Sequence, residues 1–235
     1  MNPLSKLIHA KLSNYVDGLH CSCSSKPLLD ELGHHLATGC CTGGHRYVTH
    51  DRVKHELNSI LRYCGHWTKL EERGIFNDGR RPDISIYNPP SGVCRRMLID
   101  VSVTSPLVGF RPNVAGEQRI GLSAHNAYVT KTRKYNQDAQ SLGFSFMPFI
   151  FESTGYLHPE SLKFIRLLAR KASEVKRIRE ETLYKYFMKR LTSSLQDGIS
   201  NAILDRMVSV ASHCNAMASN PSFATDVVVS LQPEN

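Results

Sequence analysis

An α/β fold built on a mixed sheet is predicted by three observations. Residues 49–158 read in the order helix, strands, helix, strand, with helical and strand-like periodicity taking turns. Two short segments, RPDISIY and MLIDVSVT, alternate apolar and polar residues on either side of NPPSG, a strong turn sequence. The segment FSFMPFIFE, after the second helix, is apolar on both faces, which suits a central strand. A strand, a crossover helix and a further strand form a right-handed unit that lays the helix across the sheet.

Residues 1–48 come first and are rich in Cys, His and Gly, with little periodicity. In THDRVKHELNSILRYCG, Thr49 is the expected N-cap and Gly65 the expected residue just past the helix end. Val53, Leu57, Ile60, Leu61 and Cys64 recur at helical spacing as one apolar stripe, bordered by Glu56. KLEERGIF is a short strand or a turn. In the two strands that follow, Ile84 and Ile86 share one face with Ile99, Val101 and Val103. Asp83, Ser85, Asp100 and Ser102 share the other. A helix over 123–142 carries Lys131 and Lys134, three apart on one face, and Gly143 stops it. Residues 159–215 read as a helical extension with Leu162, Ile165, Leu168, Leu183, Phe187 and Leu191 at helical spacing and basic residues between them. The last twenty residues have little pattern and are expected to fray. The expected division is therefore 1–48, 49–158 and 159–235.

An acid in a strand, where an apolar residue would be safer, needs a reason. If the hairpin turns about Ser91 and Gly92, Asp83 falls opposite Asp100, with the two side chains about 5 Å apart. Like charges at that distance repel, so the pair calls for a cation or a proton. The ordinary alternative is two strand-edge acids paired with Arg80, Arg81, Arg95 or Arg96.

Lysine and arginine outnumber the acids 29 to 21, giving a formal charge of +8 and suiting an anionic partner. No run of 18 apolar residues is present, so no membrane-spanning helix is expected. The start, MNPLSKLIHAKLS, lacks a signal-peptide core. An intracellular protein with reduced thiols is the expectation, nuclear if the source is eukaryotic. Seven cysteines, four of them between Cys21 and Cys41, suit a metal better than a disulfide framework. Zinc takes four soft or borderline ligands. Cys21, Cys23, His35 and Cys40 are the candidates, with His34, Cys41 and His45 as substitutes; four protein ligands make a structural site rather than a catalytic one.

The order RRPD, LIDVSV, KTRKY and GFSFMPFIFESTG, with a Cys/His segment upstream, resembles the PD-(D/E)XK nuclease superfamily. It is most similar to the restriction-enzyme-like endonuclease domain of site-specific non-LTR retrotransposon reverse transcriptases. The resemblance covers residues 20–160. It implies a PD-(D/E)XK nuclease-like core, α-β-β-β-α-β with a mixed sheet, and cleavage of DNA, with RNA as the alternative. It also implies a reverse transcriptase domain or other retroelement component as partner. By the same resemblance, Asp83 and Asp100 would hold Mg²⁺ or Mn²⁺ with the Val101 carbonyl as an extra ligand. Lys131 or Lys134 would serve the reaction, and Glu56 would reach the metal through water. The superfamily's usual lysine, two residues after the second acid, is Ser102 here; the retrotransposon-type domains resemble this chain in carrying it on the helix. A non-cleaving nucleic-acid-binding module and a zinc-stabilised interaction domain are the alternative functions.

Overall fold

The computed structural model describes residues 20–21, 45–90, 95–106 and 120–218. The chain forms two compact units, Gly44–Ile199 and a second made of Met1–Gly43 with Ser200–Asn235. The first is a mixed α/β structure. Its elements run α1 (His45–Tyr63), β1 (Thr68–Leu70), β2 (Ile84–Ile86), β3 (Met97–Thr104), α2 (Leu122–Ser141), β4 (Ser145–Glu152), α3 (Pro159–Lys176) and α4 (Glu180–Ala218), the last continuing into the second unit. The four strands lie in the order β1-β2-β3-β4. The first three pair antiparallel, and β3 pairs parallel with β4.

Alternation in the strands sorts the core into two layers. Ile84, Ile86, Ile99, Val101, Phe149 and Phe151 face one way and pack with Val53, Leu57, Ile60 and Leu61 of α1. Phe164, Ile165 and Leu168 of α3 and Leu183, Phe187 and Leu191 of α4 complete the same cluster. The helices expected as an extension after 158 thus build a large part of the main core. Their stripe, read alone, does not reveal which surface it covers. On the opposite sheet face Leu98 packs under Tyr135 and Ala139 of α2, with Ile75 and Phe76.

The helix ends show where local sequence governs. Gly65 (φ 85°) donates to the Arg62 carbonyl, and His66 to that of Leu61. Gly143 (φ 73°) donates to Gln140, and Phe144 to Ala139. Both are left-handed glycine stops with paired 5→2 and 6→1 bonds. The start of α1 differs from expectation. The helix begins at His45, and Thr49 lies inside it, 5% exposed. Thr49 packs so closely on Gly198 of α4 that a Cβ at that glycine would sit 2.9 Å from the Thr49 Cα. Burial against a neighbouring helix, not capping, accounts for this threonine.

The two-sided apolar strand β4 is an edge strand, not the central one expected. Helices cover both of its faces, which explains the composition. Its outer edge is closed by the chain that follows. Ser161 Oγ accepts from Ile150 N–H at 3.0 Å, His158 N–H donates to the Ile150 carbonyl at 3.0 Å, and Phe151 bridges to Leu157. An edge capped in this way offers little for another chain to pair with.

Among the described residues no helix is long and apolar enough to cross a membrane. Cys23, His35 and Cys40 lie outside the described residues. Cys21 lies within them and is buried, 2% exposed.

Candidate active site

The hairpin register sets the site. Ile84 is opposite Ile99 and Ile86 opposite Met97. Continuing that register one step places Asp83, just before β2, opposite Asp100 in β3. The link is direct: Asp83 Oδ2 accepts the Val101 N–H at 2.7 Å. The side chains are 16% and 8% exposed, so both carboxylates are largely withdrawn from water.

Each acid is met by a basic side chain from a different helix. Lys131 Nζ, on α2, lies 2.5 Å from Asp100 Oδ2. The contact is a close, largely buried ion pair. His50 Nε2, on α1, lies 3.1 Å from Asp83 Oδ2, and its Nδ1 lies 3.2 Å from Asp51 Oδ1. Behind His50, the buried Lys54 ammonium bridges Asp51 Oδ1 at 2.7 Å and Glu71 Oε1 at 2.5 Å. The Glu71 amide in turn donates to the Asp83 carbonyl at 3.0 Å. Asp83 is therefore held at both its main chain and its side chain.

The charges follow from this packing. Burial pushes the Asp100 pKa up; Lys131 opposes that rise, and the Asp83 charge adds to it. Burial alone would lower the Lys131 pKa, but Asp100 and, further off, Asp83 raise it above the usual lysine value. The two rises have different origins: desolvation makes the buried Asp100 ionise less readily, while the charge of the acids holds the Lys131 ammonium protonated. For His50, burial works against the proton, yet the hydrogen bond and charge of Asp83 prevail and its pKa is raised. A protonated ring donates to both carboxylates it faces.

The arginines do not compete for these acids. Arg80 pairs with Asp78 and Asp138, Arg81 lies 3.6 Å from Glu71, and Arg96 lies 3.5 Å from Glu72. Of the two candidate lysines, only Lys131 reaches the acid pair. Lys134 is exposed, its Nζ 5.1 Å from the centroid of the neighbouring Tyr135 ring and its carbonyl accepting from Arg80. Val101 contributes its amide to Asp83. Glu56 is not brought to this cluster. Its carboxylate lies 2.5 Å from Arg190 Nε on α4. Six residues beyond His50, it is turned by roughly 240° around the helix.

His50, Asp51, Lys54 and Glu71 are the members that sequence reasoning missed. A signal existed: His50, Lys54 and Asn58 follow one another at i, i+4, i+8, a polar stripe beside the apolar one. Starting the helix at Thr49 hid it, because His50 then reads as a first-turn residue.

Asp83 and Asp100, apposed at neighbouring strands with both carboxylates largely buried, are hard oxygen ligands that fit Mg²⁺ or Mn²⁺. Among the described residues no group of three or more His, Cys, Asp or Glu is placed to hold a metal. An ion bound here would keep water in its remaining positions, as Mg²⁺ commonly does. No protein-family model matches the chain, and a comparison with curated proteins found no match.

Proposed function

We propose that this chain is a metal-dependent DNA endonuclease of the PD-(D/E)XK type, derived from a retroelement. The observation that carries the reading is the convergence of Asp83, Asp100 and Lys131 at one end of the hairpin, within an α-β-β-β-α-β order. Asp83 and Asp100 would hold Mg²⁺ or Mn²⁺. Such an ion, when bound, activates water and neutralises phosphate charge. Lys131 can place its ammonium on a phosphate oxygen once the acids are shared with a metal. The His50–Asp51–Lys54–Glu71 network holds Asp83 in place, as hydrogen-bonded neighbours of metal ligands generally do. The basic charge of the chain supplies attraction for the backbone of the nucleic acid. On α3 and α4 that attraction is weakened, since Lys163, Lys171 and Lys185 each lie beside a glutamate of their own helix.

The test is incubation with supercoiled plasmid and Mg²⁺ or Mn²⁺ beside an Asp100→Ala control. Nicking by the wild type alone supports the reading; no nicking with either ion rejects it. One observation favours a second reading, a binding module that does not cleave. Lys131 and His50 already pair with the two acids. Under that reading, salt-dependent DNA binding persists with no cleavage.

The Cys21, Cys23, His35 and Cys40 set is proposed to hold one structural zinc. Metal analysis of chain purified without chelators should find about one Zn²⁺ per molecule, and Cys23→Ser or Cys40→Ser should lower it. Absence of zinc from the wild type would remove that proposal.

A further inference from the structure

The chain's single tryptophan is at the surface, and it is not loosely placed there. Trp67 is 68% exposed. Its ring stacks on Tyr87, with centroids 4.4 Å apart and planes 29° from parallel. The Arg96 guanidinium lies 4.3 Å from the Tyr87 centroid and 4.8 Å from that of Phe144. The strand registers explain the row. Thr68 pairs with Ile86, Ile86 with Met97, and Met97 with Ser145. One step beyond each pair stand Trp67, Tyr87, Arg96 and Phe144, side by side across the end of the sheet.

Hydrogen bonds hold the Trp67 main chain and the Tyr87 side chain. Asn88 Oδ1 accepts the Trp67 N–H at 2.6 Å, and Asn88 Nδ2 donates to the Gly65 carbonyl at 3.2 Å. The Tyr87 N–H donates to the Trp67 carbonyl at 3.0 Å, and the Tyr87 hydroxyl to Glu72 at 2.6 Å. Scattered exposed apolar residues need no explanation. A ring stacked on one side against a second ring and left open to water on the other is a different arrangement: part of its ordering cost is already met before a ligand arrives. Two basic groups share its face: Lys69 and Arg96 both pair with Glu72, each at 3.5 Å.

We propose that the open face of Trp67 binds an unpaired nucleobase of a single-stranded nucleic acid, with Lys69 serving the adjoining phosphate. A flat ring of this size offers stacking to any base, and nearby cations suit a polyanion. A base inside a duplex has both faces covered by its neighbours, so the platform selects unpaired strands. Tyr87 and Arg96 share a sheet face with Asp83 and Asp100, by the alternation along β2 and β3. Arg96 and Asp100 are four residues apart, or roughly 13 Å along the strand. The platform would thus hold an unpaired stretch beside the acid pair. The inference takes its partner class from the proposed function but does not need cleavage.

Because Trp67 is the only tryptophan, intrinsic emission reports this ring alone. Full-length chain, without added divalent cation, is titrated with oligo-dT of about twelve nucleotides. Saturable quenching that high salt reverses is the expected result, with weaker quenching by a duplex of equal length. In parallel, anisotropy of a labelled oligo-dT should show roughly fivefold or greater loss of affinity for Trp67→Ala and near wild-type affinity for Trp67→Phe. Binding detected by anisotropy with unchanged Trp67 emission would overturn the platform, as would single-strand affinity unchanged in a folded Trp67→Ala variant. If Trp67→Ala does not fold, the wild-type quenching and the Trp67→Phe affinity decide. A chain that nicks plasmid but shows no quenching loses the platform and keeps the nuclease reading; quenching without nicking does the reverse.

Discussion

Lys131 Nζ stands 2.5 Å from Asp100 Oδ2, joining helix α2 to strand β3 across the face that carries the acid pair. The acid side chain is 8% exposed and the lysine side chain 30%, so the lysine is the partner with room to move. A charge that can leave a carboxylate for a phosphate is suited to stabilising a transition state. Lys131→Ala should therefore slow plasmid nicking by roughly a hundredfold or more. Lys134→Ala, which removes an exposed side chain away from the acids, should alter it by less than about threefold in this scheme. Rates at saturating Mn²⁺ measure both, and equal losses in the two variants would reject the assignment.

Asp83→Asn and Asp100→Asn should each abolish nicking while DNA binding stays equal or becomes tighter. Asn keeps an oxygen for the Val101 N–H and removes a charge that repels phosphate. The fold should survive, because the amide is nearly isosteric and each change relieves crowding between two apposed acids. Filter binding beside nicking assays separates the two effects. Cleavage that persists in both variants would end the two-aspartate mechanism.

Lys54 gives a prediction in pH. Burial alone would raise the Asp51 pKa, but Lys54 and His50 lower it on balance. Lys54 lowers that of Glu71. A carboxylate with a depressed folded pKa adds stability that is present above its unfolded value and is lost as pH falls through the folded value. The Lys54 pKa is raised by the same acids, although burial opposes this, so its share is lost only in alkali. Lys54→Met should thus be less stable than wild type by about 1–2 kcal/mol around neutral pH, a modest value because both carboxylates remain about half exposed to water. The gap should narrow below about pH 4 as the acids protonate. Urea midpoints at pH 7 and pH 3 measure it. A gap that widens in acid would contradict the network.

Local chemistry made much of this legible. A turn expected within NPPSG predicts the hairpin register; Ser91 and Gly92 lie outside the described residues, and the observed pairing of Ile84 with Ile99 puts Asp83 opposite Asp100. Glycine stops at Gly65 and Gly143 fixed two helix ends. What stayed hidden depended on packing between distant segments. Thr49 looks like a cap until Gly198, far along the chain, is seen against it. Glu56 looks available until Arg190 of α4 takes it. The apolar sequence of β4 cannot distinguish a strand flanked by two others from an edge strand covered by helices and closed by Ser161. Choosing Lys131 over Lys134 needs the rotation of α2 on the sheet, which spacing of three does not specify.

That rotation depends on how α2 is anchored at its start. Gly121 precedes the helix at φ 88°, with no side-chain cap. Glu152, at the end of β4 and 1% exposed, supplies the missing acceptor: its Oε1 takes the Ala124 N–H at 3.1 Å. A carboxylate at a helix N-terminus also meets the positive end of the helix dipole. Glu152→Ala should leave that buried N–H without its partner and cost about 1–3 kcal/mol. Glu152→Gln keeps an acceptor oxygen and should recover most of the loss. Because α2 carries Lys131, Glu152→Ala should also reduce nicking measured below its melting range, while Glu152→Gln should retain most activity. Thermal unfolding gives the first quantity and nicking rates the second. A Glu152→Ala chain that melts like wild type would show that the helix start is held by something other than this carboxylate.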